Sequence, residues 1–253
     1  MLDLSDVTFT IPLRIDSQDR LENFIIILSY LVEKFETNII ILEDDGEQKI
    51  SFDSPPKCVK YIFQKNEELL FHKAKLINQL CKEARTPIVA LHDCDVLFPE
   101  EQYIKSADSI RSGLCDLCLP HDSFVYDIER IFARNILKDF SVKSLPTCNV
   151  MAISGNGGCV FYNKTSFVKG GMANENIRSW GTEDAEILMR FNKLGFKVKR
   201  IEGYFYHLKH PRGINSSKLN TSFEQDQNEF KKIASMTNNE LEDYIATWKW
   251  AHL

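Results

Sequence analysis

Two aspartates, Asp93 and Asp95, stand one residue apart just beyond the run Ile88-Val89-Ala90-Leu91-His92. Along an extended chain, residues i and i+2 point to the same side. The two carboxylates then share one direction and repel each other unless a cation joins them. Hard divalent ions prefer such oxygens and bridge them to phosphates, although a solvated strand end has the same composition. A second acidic group closes Ser179-Trp180-Gly181-Thr182-Glu183-Asp184. Carboxylates in a first helical turn are stabilised by the helix dipole, which alone would explain them. Trp180 adds an aromatic face on which a sugar ring can stack, and an ionised carboxylate beside it can act as general base toward a hydroxyl. A third group, Tyr204-Phe205-Tyr206-His207-Leu208-Lys209-His210, carries two histidines three residues apart. These serve either as structural side chains or as metal ligands. A mixed Asp and His set suits Mn²⁺ better than Mg²⁺. The paired glycines of Asn156-Gly157-Gly158-Cys159 permit close approach of the backbone to a ligand, or make an ordinary turn.

Elements must bring these pieces together. Val7 to Leu13 reads as a first strand. Ser17 can cap a helix from about Asp19 to Phe35, with Leu21, Phe24, Leu28 and Leu31 at helical spacing. Asn38 to Leu42 is a continuous apolar run of the kind found in parallel strands buried on both faces; it ends in Asp44-Asp45. Val59 to Phe63 is a third strand, Glu67 to Arg85 a helix, and Pro87 to His92 a fourth strand. Further helices are expected at Pro99 to Ser112, Asp127 to Lys138 and Glu183 to Leu194, and short strands at Cys159 to Tyr162, Lys197 to Ile201 and Tyr204 to His207. Strands alternating with long helices predict an α/β fold around a mostly parallel sheet, whose ligands bind at the carboxyl ends of the strands. Asp45, Asp95 and His207 all fall at such ends. Two helices are expected after Ser222, the second opened by the capping box Thr237 to Glu240. Gly170-Gly171 reads as a hinge for a loop from Met172 to Arg178.

Composition narrows the function. The 253 residues suit one large α/β domain, and a formal charge of -5 gives no basic field for a nucleic-acid backbone. A donor carrying two phosphates would need local neutralisation by a metal or a few placed cations. The seven cysteines are irregularly spaced, and only Cys115 and Cys118 form a C-x-x-C, half of a structural zinc set. They read as core residues of a reducing compartment. Neither a signal peptide nor an apolar run of membrane-spanning length is visible, so the expected location is cytoplasmic, at most peripheral to a membrane. No G-x-G-x-x-G follows the first strand, which argues against a dinucleotide site.

Taken in order, Phe71-His72-Lys73-Ala74-Lys75-Leu76, Asp93-Cys94-Asp95, Gly157-Gly158, Trp180-Gly181-Thr182-Glu183-Asp184 and Tyr206-His207 resemble the β-1,4-galactosyltransferases. Trp180 to Pro211 is closer still to the N-acetylgalactosamine-transferring half of bacterial chondroitin polymerases. The resemblance runs from Ile11 to about Gly213. It implies a GT-A fold over residues 1–215, a helical extension over 216–253 packed on the same domain, and inverting, metal-dependent transfer from a UDP-sugar to a glycan or glycolipid acceptor. It also implies roles. Pro12, Leu13 and Arg14 match a segment that contacts uridine and phosphate, Asp45 an acid that reads uracil, and Phe71 and Lys73 a second nucleotide-contacting segment. Asp93 would contact the nucleotide sugar, and Asp95 and His207 the metal, Mn²⁺ or Mg²⁺. Trp180, Glu183 and Gly158 would hold the sugars, and Asp184 would be the catalytic base. Departures are Ala185 in place of a third acid, Thr182 in place of glycine, and His210, an additional candidate ligand that the chondroitin-polymerase pattern lacks. Gly155 stands where galactose-specific members carry a bulky Tyr, which favours N-acetylgalactosamine or tolerance of both donors. Two rival readings remain. One is a nucleotidyltransferase, although Leu13 to Ser17 lacks the glycines of its phosphate loop; the other is a non-catalytic sugar-binding relative.

Overall fold

The computed structural model describes residues 1–179, 181–217 and 220–251. Its strands are β1 (Leu2–Leu13), β2 (Phe35–Asp45), β3 (Val59–Lys65), β4 (Ile88–His92), β5 (Val96–Leu97), β6 (Leu117–Leu119), β7 (Val125–Ile128), β8 (Val150–Ala152), β9 (Cys159–Asn163), β10 (Val198–Arg200) and β11 (Phe205–Leu208). The helices are α1 (Gln18–Lys34), α2 (Lys73–Glu83), α3 (Glu100–Arg111), α4 (Arg130–Ala133), α5 (Ile136–Asp139), α6 (Lys164–Lys169), α7 (Glu183–Lys193), α8 (Phe223–Ser235) and α9 (Asn238–Ala246). A large sheet runs β10-β6-β9-β4-β1-β2-β3, and a small one β5-β11-β7-β8. Within the large sheet only β9 runs antiparallel to its neighbours, so β1, β2, β3 and β4 deliver their carboxyl ends to one edge.

The period-2 alternation of a strand sorts the core into two layers. Ile39, Ile41, Ile88, Ala90, Cys159 and Phe161 face α1 and α3, where Phe24, Tyr30 and Tyr103 complete one cluster. Ile40, Leu42, Val89, Leu91, Val160 and Tyr162 face α2, α6 and α7, where Leu76, Phe167 and Ile187 complete the other. Both faces are therefore covered, as continuous apolar strands require. Ser17 caps α1 by accepting from Arg20 N, and the capping box of α9 forms between Thr237 and Glu240.

Three expectations differ from the fold. The helix expected from Glu67 starts only at Lys73, because the preceding segment lends its carbonyls to a side chain: Glu68 O and Leu69 O accept from Arg14. The helix expected over Asp127 to Lys138 is split. Its first residues form β7, which pairs with β11 on one side and β8 on the other, and only α4 and α5 remain helical. The loop after Gly170-Gly171 is not a free hinge. Met172, Ala173 and Asn174 are buried, and Asn78 pairs with both backbone groups of Ala173 at 2.9 Å. Asp226, fully buried on α8, accepts from Arg178 N and Ser179 N at 2.9 and 2.8 Å.

The C-terminal helices dock on α7 through Arg190. This side chain is fully buried, pairs with Glu186 at 2.5 Å, donates to Gly170 O and Met172 O, and stacks 5.1 Å from the Trp248 ring. Breaking a buried pair from one side leaves an uncompensated charge. Arg190→Met is expected to lose about 3–5 kcal/mol of stability, and the double variant with Glu186→Gln to lose less. Urea unfolding measures both; a single variant as stable as the parent would deny the pair this role.

Candidate active site

Backbone pairing brings the distant motifs together. β5 follows the Asp-Cys-Asp turn at once, and β11 lies beside it with His207 opposite Val96 and Leu208 N bonded to Asp95 O at 2.7 Å. On its other edge β11 sets His207 opposite Asp127. The turn itself is braced by His92, which is fully buried. Its Nε2 lies 2.9 Å from the Tyr103 hydroxyl, and its Nδ1 lies 2.7 Å from Asp93 O. A carbonyl only accepts, so the proton sits on Nδ1; burial pushes this imidazole down to about 4 and keeps it neutral.

One cleft of about 360 Å³ results, within the usual range for small-molecule sites. Pro12, Arg14, Phe71, Lys73, Asp93, Asp95, Gly158, Asp184, His207 and His210 all line it. Among the described residues, Asp95, His207 and His210 form a group able to hold a metal, with their ligand atoms within 4.8 Å of one another. His207 Nδ1 is 3.0 Å from Asp127 Oδ1, which leaves Nε2 as its free nitrogen. His210 Nδ1 lies 2.7 Å from Pro211 O and 3.3 Å from Arg20 Nη2, so it either donates to the carbonyl or accepts from the guanidinium. The Nε2 of His210 meets Asp95 Oδ2 at 3.0 Å. With the proton on Nε2 the ring donates to this carboxylate; with the proton on Nδ1, two lone pairs face each other and a shared cation would join them. Neighbouring ligands of an octahedral ion with bonds of about 2.1 Å lie about 3 Å apart, so the set fits a divalent metal. Burial raises the Asp95 pKa, but the hydrogen bond from His210 and the charges of His207 and Arg20 outweigh it and hold the carboxyl well below its ordinary range.

The other half of the cleft is organised by Lys73. Its Nζ lies 2.9 Å from Asp93, 3.5 Å from Glu183 and 3.7 Å from Asp184. Asp184 Oδ1 is buried and has no hydrogen-bond partner among the described residues. Burial, with Glu183 and Asp93 adding repulsion against the pull of Lys73, raises this carboxyl to about 7. A base poised near neutrality is what proton removal from a hydroxyl requires. The paired glycines line the cleft, and side chains pack against them where a Cβ would stand. A Cβ on Gly157 would lie 1.8 Å from Asp184 Oδ2, and one on Gly158, at φ +83°, would lie 2.4 Å from the Phe205 ring. The loop is held by Arg200, which donates to Gly155 O and Asn156 Oδ1 at 2.9 and 2.7 Å, and by His121, whose Nε2 is 3.2 Å from Gly157 O.

Three expected site residues stand elsewhere. Leu13 is fully buried in the core, because β1 alternation turns it inward while Pro12 and Arg14 face the cleft. Asp45 turns back on its own loop, accepting from Gly46 N at 2.8 Å and facing Lys49 at 3.4 Å. Its neighbour Asp44 anchors Arg14 at 2.8 Å. Glu183 is buried and caps the turn before α7, accepting from Gly181 N and Thr182 N at 2.9 and 3.1 Å. Its Oε2 is held by these two amides, and the residue stands behind the cleft wall, 3.5 Å from Lys73. Trp180 lies outside the described residues. Asp16, Arg20, Asp127 and Arg212 are charged groups at the site that the motifs did not reveal. Asp127 was hidden by the expected helix, and Arg20 by its place at a helix start.

A sequence profile described as the N-terminal domain of galactosyltransferase matches residues 144–211, which carry the glycine loop, the Glu183-Asp184 turn and both histidines. The catalytic domain of Drosophila β1,4-galactosyltransferase 7 in complex with xylobiose is similar in structure, with a TM-score of 0.59, 16% identity, and coverage of 94% of this chain and 84% of that one. A point mutant of the Drosophila enzyme in complex with manganese, UDP-Gal and xylobiose gives a TM-score of 0.58 at 16% identity, covering 94% and 81%. No curated protein matches significantly in sequence. The fold is thus the GT-A arrangement of galactosyltransferase catalytic domains. No helix among the described residues is long and apolar enough to cross a membrane.

Two outcomes are expected from this geometry. The kcat/KM for the acceptor should fall about tenfold per pH unit below about 7, as Asp184 takes up the proton that disables it; a flat profile from pH 5.5 to 8 would remove the carboxyl from the rate law. Gly157→Ala should displace the Asp184 carboxylate and lower turnover while leaving the unfolding free energy, read by urea titration, within about 1 kcal/mol of the parent.

Proposed function

We propose that this chain is an inverting, metal-dependent glycosyltransferase that moves galactose or N-acetylgalactosamine from a UDP-sugar to a hydroxyl of a glycan or glycolipid. The observation that carries the reading is the convergence of Asp95, His207, His210 and Asp184 on one cleft. The fold and the galactosyltransferase profile support the class of reaction. The manganese and UDP-Gal bound by the Drosophila mutant support the choice of ion and nucleotide.

Asp95, His207 and His210 would hold Mn²⁺, which when bound offsets the negative charge that builds on the departing diphosphate. Phe71, Pro12 and Arg14 line the side of the cleft where the nucleotide fits, with the Arg14 guanidinium fixed 5.5 Å over the Phe71 ring. Lys73 and Asp93 lie between this side and the base. Asp184 takes the proton of the acceptor hydroxyl as that oxygen attacks the anomeric carbon from the face opposite UDP, so one proton moves to the carboxylate and the C–O bond to phosphate breaks. Holding two substrates in one cleft removes much of the entropic barrier to their meeting. Gly155 lines the cleft, but a Cβ there would lie 2.8 Å from Val125 Cγ2 and 3.3 Å from Ser123 O, so the missing side chain leaves no free space and the choice between galactose and N-acetylgalactosamine rests on the donor screen.

The test is a donor screen. UDP-Gal, UDP-GalNAc, UDP-Glc and UDP-GlcNAc are each incubated with the chain and Mn²⁺, and released UDP is measured. Release from UDP-Gal or UDP-GalNAc that stops on chelation is expected; no release from any donor, or pyrophosphate release from UTP and a sugar phosphate instead, would defeat the reading. Asp184→Asn should keep UDP affinity and lose at least about a hundredfold in turnover, the usual worth of a general base. Unchanged turnover would take Asp184 out of the mechanism.

A further inference from the structure

Arg20 occupies a position that neither the fold nor the proposed reaction explains. It sits in the first turn of α1, where its backbone N–H is tied to Ser17 Oγ at 3.2 Å. From there the side chain enters the cleft, only 14% exposed. Nε pairs with Asp16 at 2.9 Å, Nη1 with Asp95 Oδ2 at 2.9 Å, and Nη2 lies 3.3 Å from His210 Nδ1. The guanidinium thus holds the same carboxylate oxygen that faces His210 Nε2 at 3.0 Å. An ion bound to Asp95 Oδ2 at about 2.1 Å would lie within about 5 Å of Nη1, since the two bonds share that oxygen.

Two cations cannot both hold this oxygen at such range without strong repulsion. The geometry points to Arg20 as a stand-in cation. It satisfies Asp95 in the metal-free protein, competes with the divalent ion for that carboxylate, and gives it up when the ion binds. This rests on the reading that Asp95, His207 and His210 form the metal site. The arrangement has a consequence for order of binding. A released guanidinium, still rooted on α1 and paired with Asp16, is free to meet a diphosphate, so ion and nucleotide diphosphate each favour the other. Such coupling is reciprocal.

Direction separates this role from a structural one. A residue that merely braces Asp95 would, on removal, loosen the ligands and weaken metal binding; a competitor, on removal, strengthens it. The test titrates Mn²⁺ into the chain, reading free Mn²⁺ by electron paramagnetic resonance, with and without UDP. Arg20→Gln, which keeps a polar reach toward Asp16 but no charge, should bind Mn²⁺ at least about tenfold tighter than the parent, a difference of about 1.4 kcal/mol. Arg20→Lys, which keeps the charge, should stay within about threefold of the parent. UDP should tighten Mn²⁺ in the parent more than in Arg20→Gln. Equal or weaker binding by Arg20→Gln, with Arg20→Lys tracking it, overturns the proposal. His207→Ala separates the two failures. If it binds Mn²⁺ as well as the parent does, the metal site itself is misplaced; if it loses the ion while Arg20→Gln gains nothing, only the role of Arg20 falls.

Discussion

Carboxylates crowded into one cleft are the constraint around which the rest of this molecule is arranged. Asp93, Asp95, Glu183 and Asp184 are drawn together at the carboxyl edge of the sheet. Unit charges 4 Å apart interact by about 4 kcal/mol in surroundings of intermediate polarity, which is comparable with the 5–15 kcal/mol that typically holds a whole domain together. The chain answers with two long cations on separate helices. Lys73, at the start of α2, serves Asp93, Glu183 and Asp184; Arg20, on α1, serves Asp95 and Asp16. Their division is uneven, and the difference has chemical use. Asp95, with His210, His207 and Arg20 around it, stays ionised far below neutrality. Asp184 shares one ammonium with two other acids and is pushed up to about 7. One carboxylate is suited to hold a cation and the other to exchange a proton.

The two sheets make this division possible. The large sheet carries Asp93 and Asp95 out on β4, while the small sheet returns β11 alongside β5 so that His207 lands next to the same turn. Lying parallel to β7, β11 also receives Asp127 as a partner for the His207 ring. An imidazole whose Nδ1–H is held by a carboxylate presents a fixed Nε2, the arrangement by which proteins orient histidine ligands. The acid-bearing turn and the imidazoles therefore owe their distance to main-chain pairing, which does not depend on the ion being present.

What could be read from the sequence follows from how local each feature is. The buried strands, the Ser17 cap and the α9 capping box depend on neighbours within a few residues, and they stand where the patterns put them. Asp95, His207 and Asp184 were legible because each ends or begins a strongly patterned element. Leu13 and Asp45 were not, since one residue of strand phase decides whether a side chain faces the core or the cleft. Asp127 to Lys138 reads as one helix, but β7 takes its first two residues because β11 and β8 offer partners on both sides. No local signal carries that information. Arg20 illustrates the same limit. A cation in a first helical turn is unremarkable in sequence, and only the spatial approach of residues 75 and 190 positions away gives it partners.

Glycine at 157 bears on Asp184, the proposed base. A carboxylate raised toward neutrality must be kept from water, yet remain against the cleft. Backbone alone can cover it that closely, because any Cβ at 157 would overlap Asp184 Oδ2. The covering backbone must then be rigid, and it is secured from behind by Arg200 and by His121, whose ring packs against both Phe98 and Phe205. His121 Nδ1 accepts from Ser123 N at 3.2 Å, so Nε2 carries the proton and donates to Gly157 O. Burial drives this imidazole down to about 3, which keeps it neutral and its tautomer fixed. A charged ring in that place would add a cation near the base and lower the pKa that the site depends on. A neutral histidine supplies the hydrogen bond without the charge.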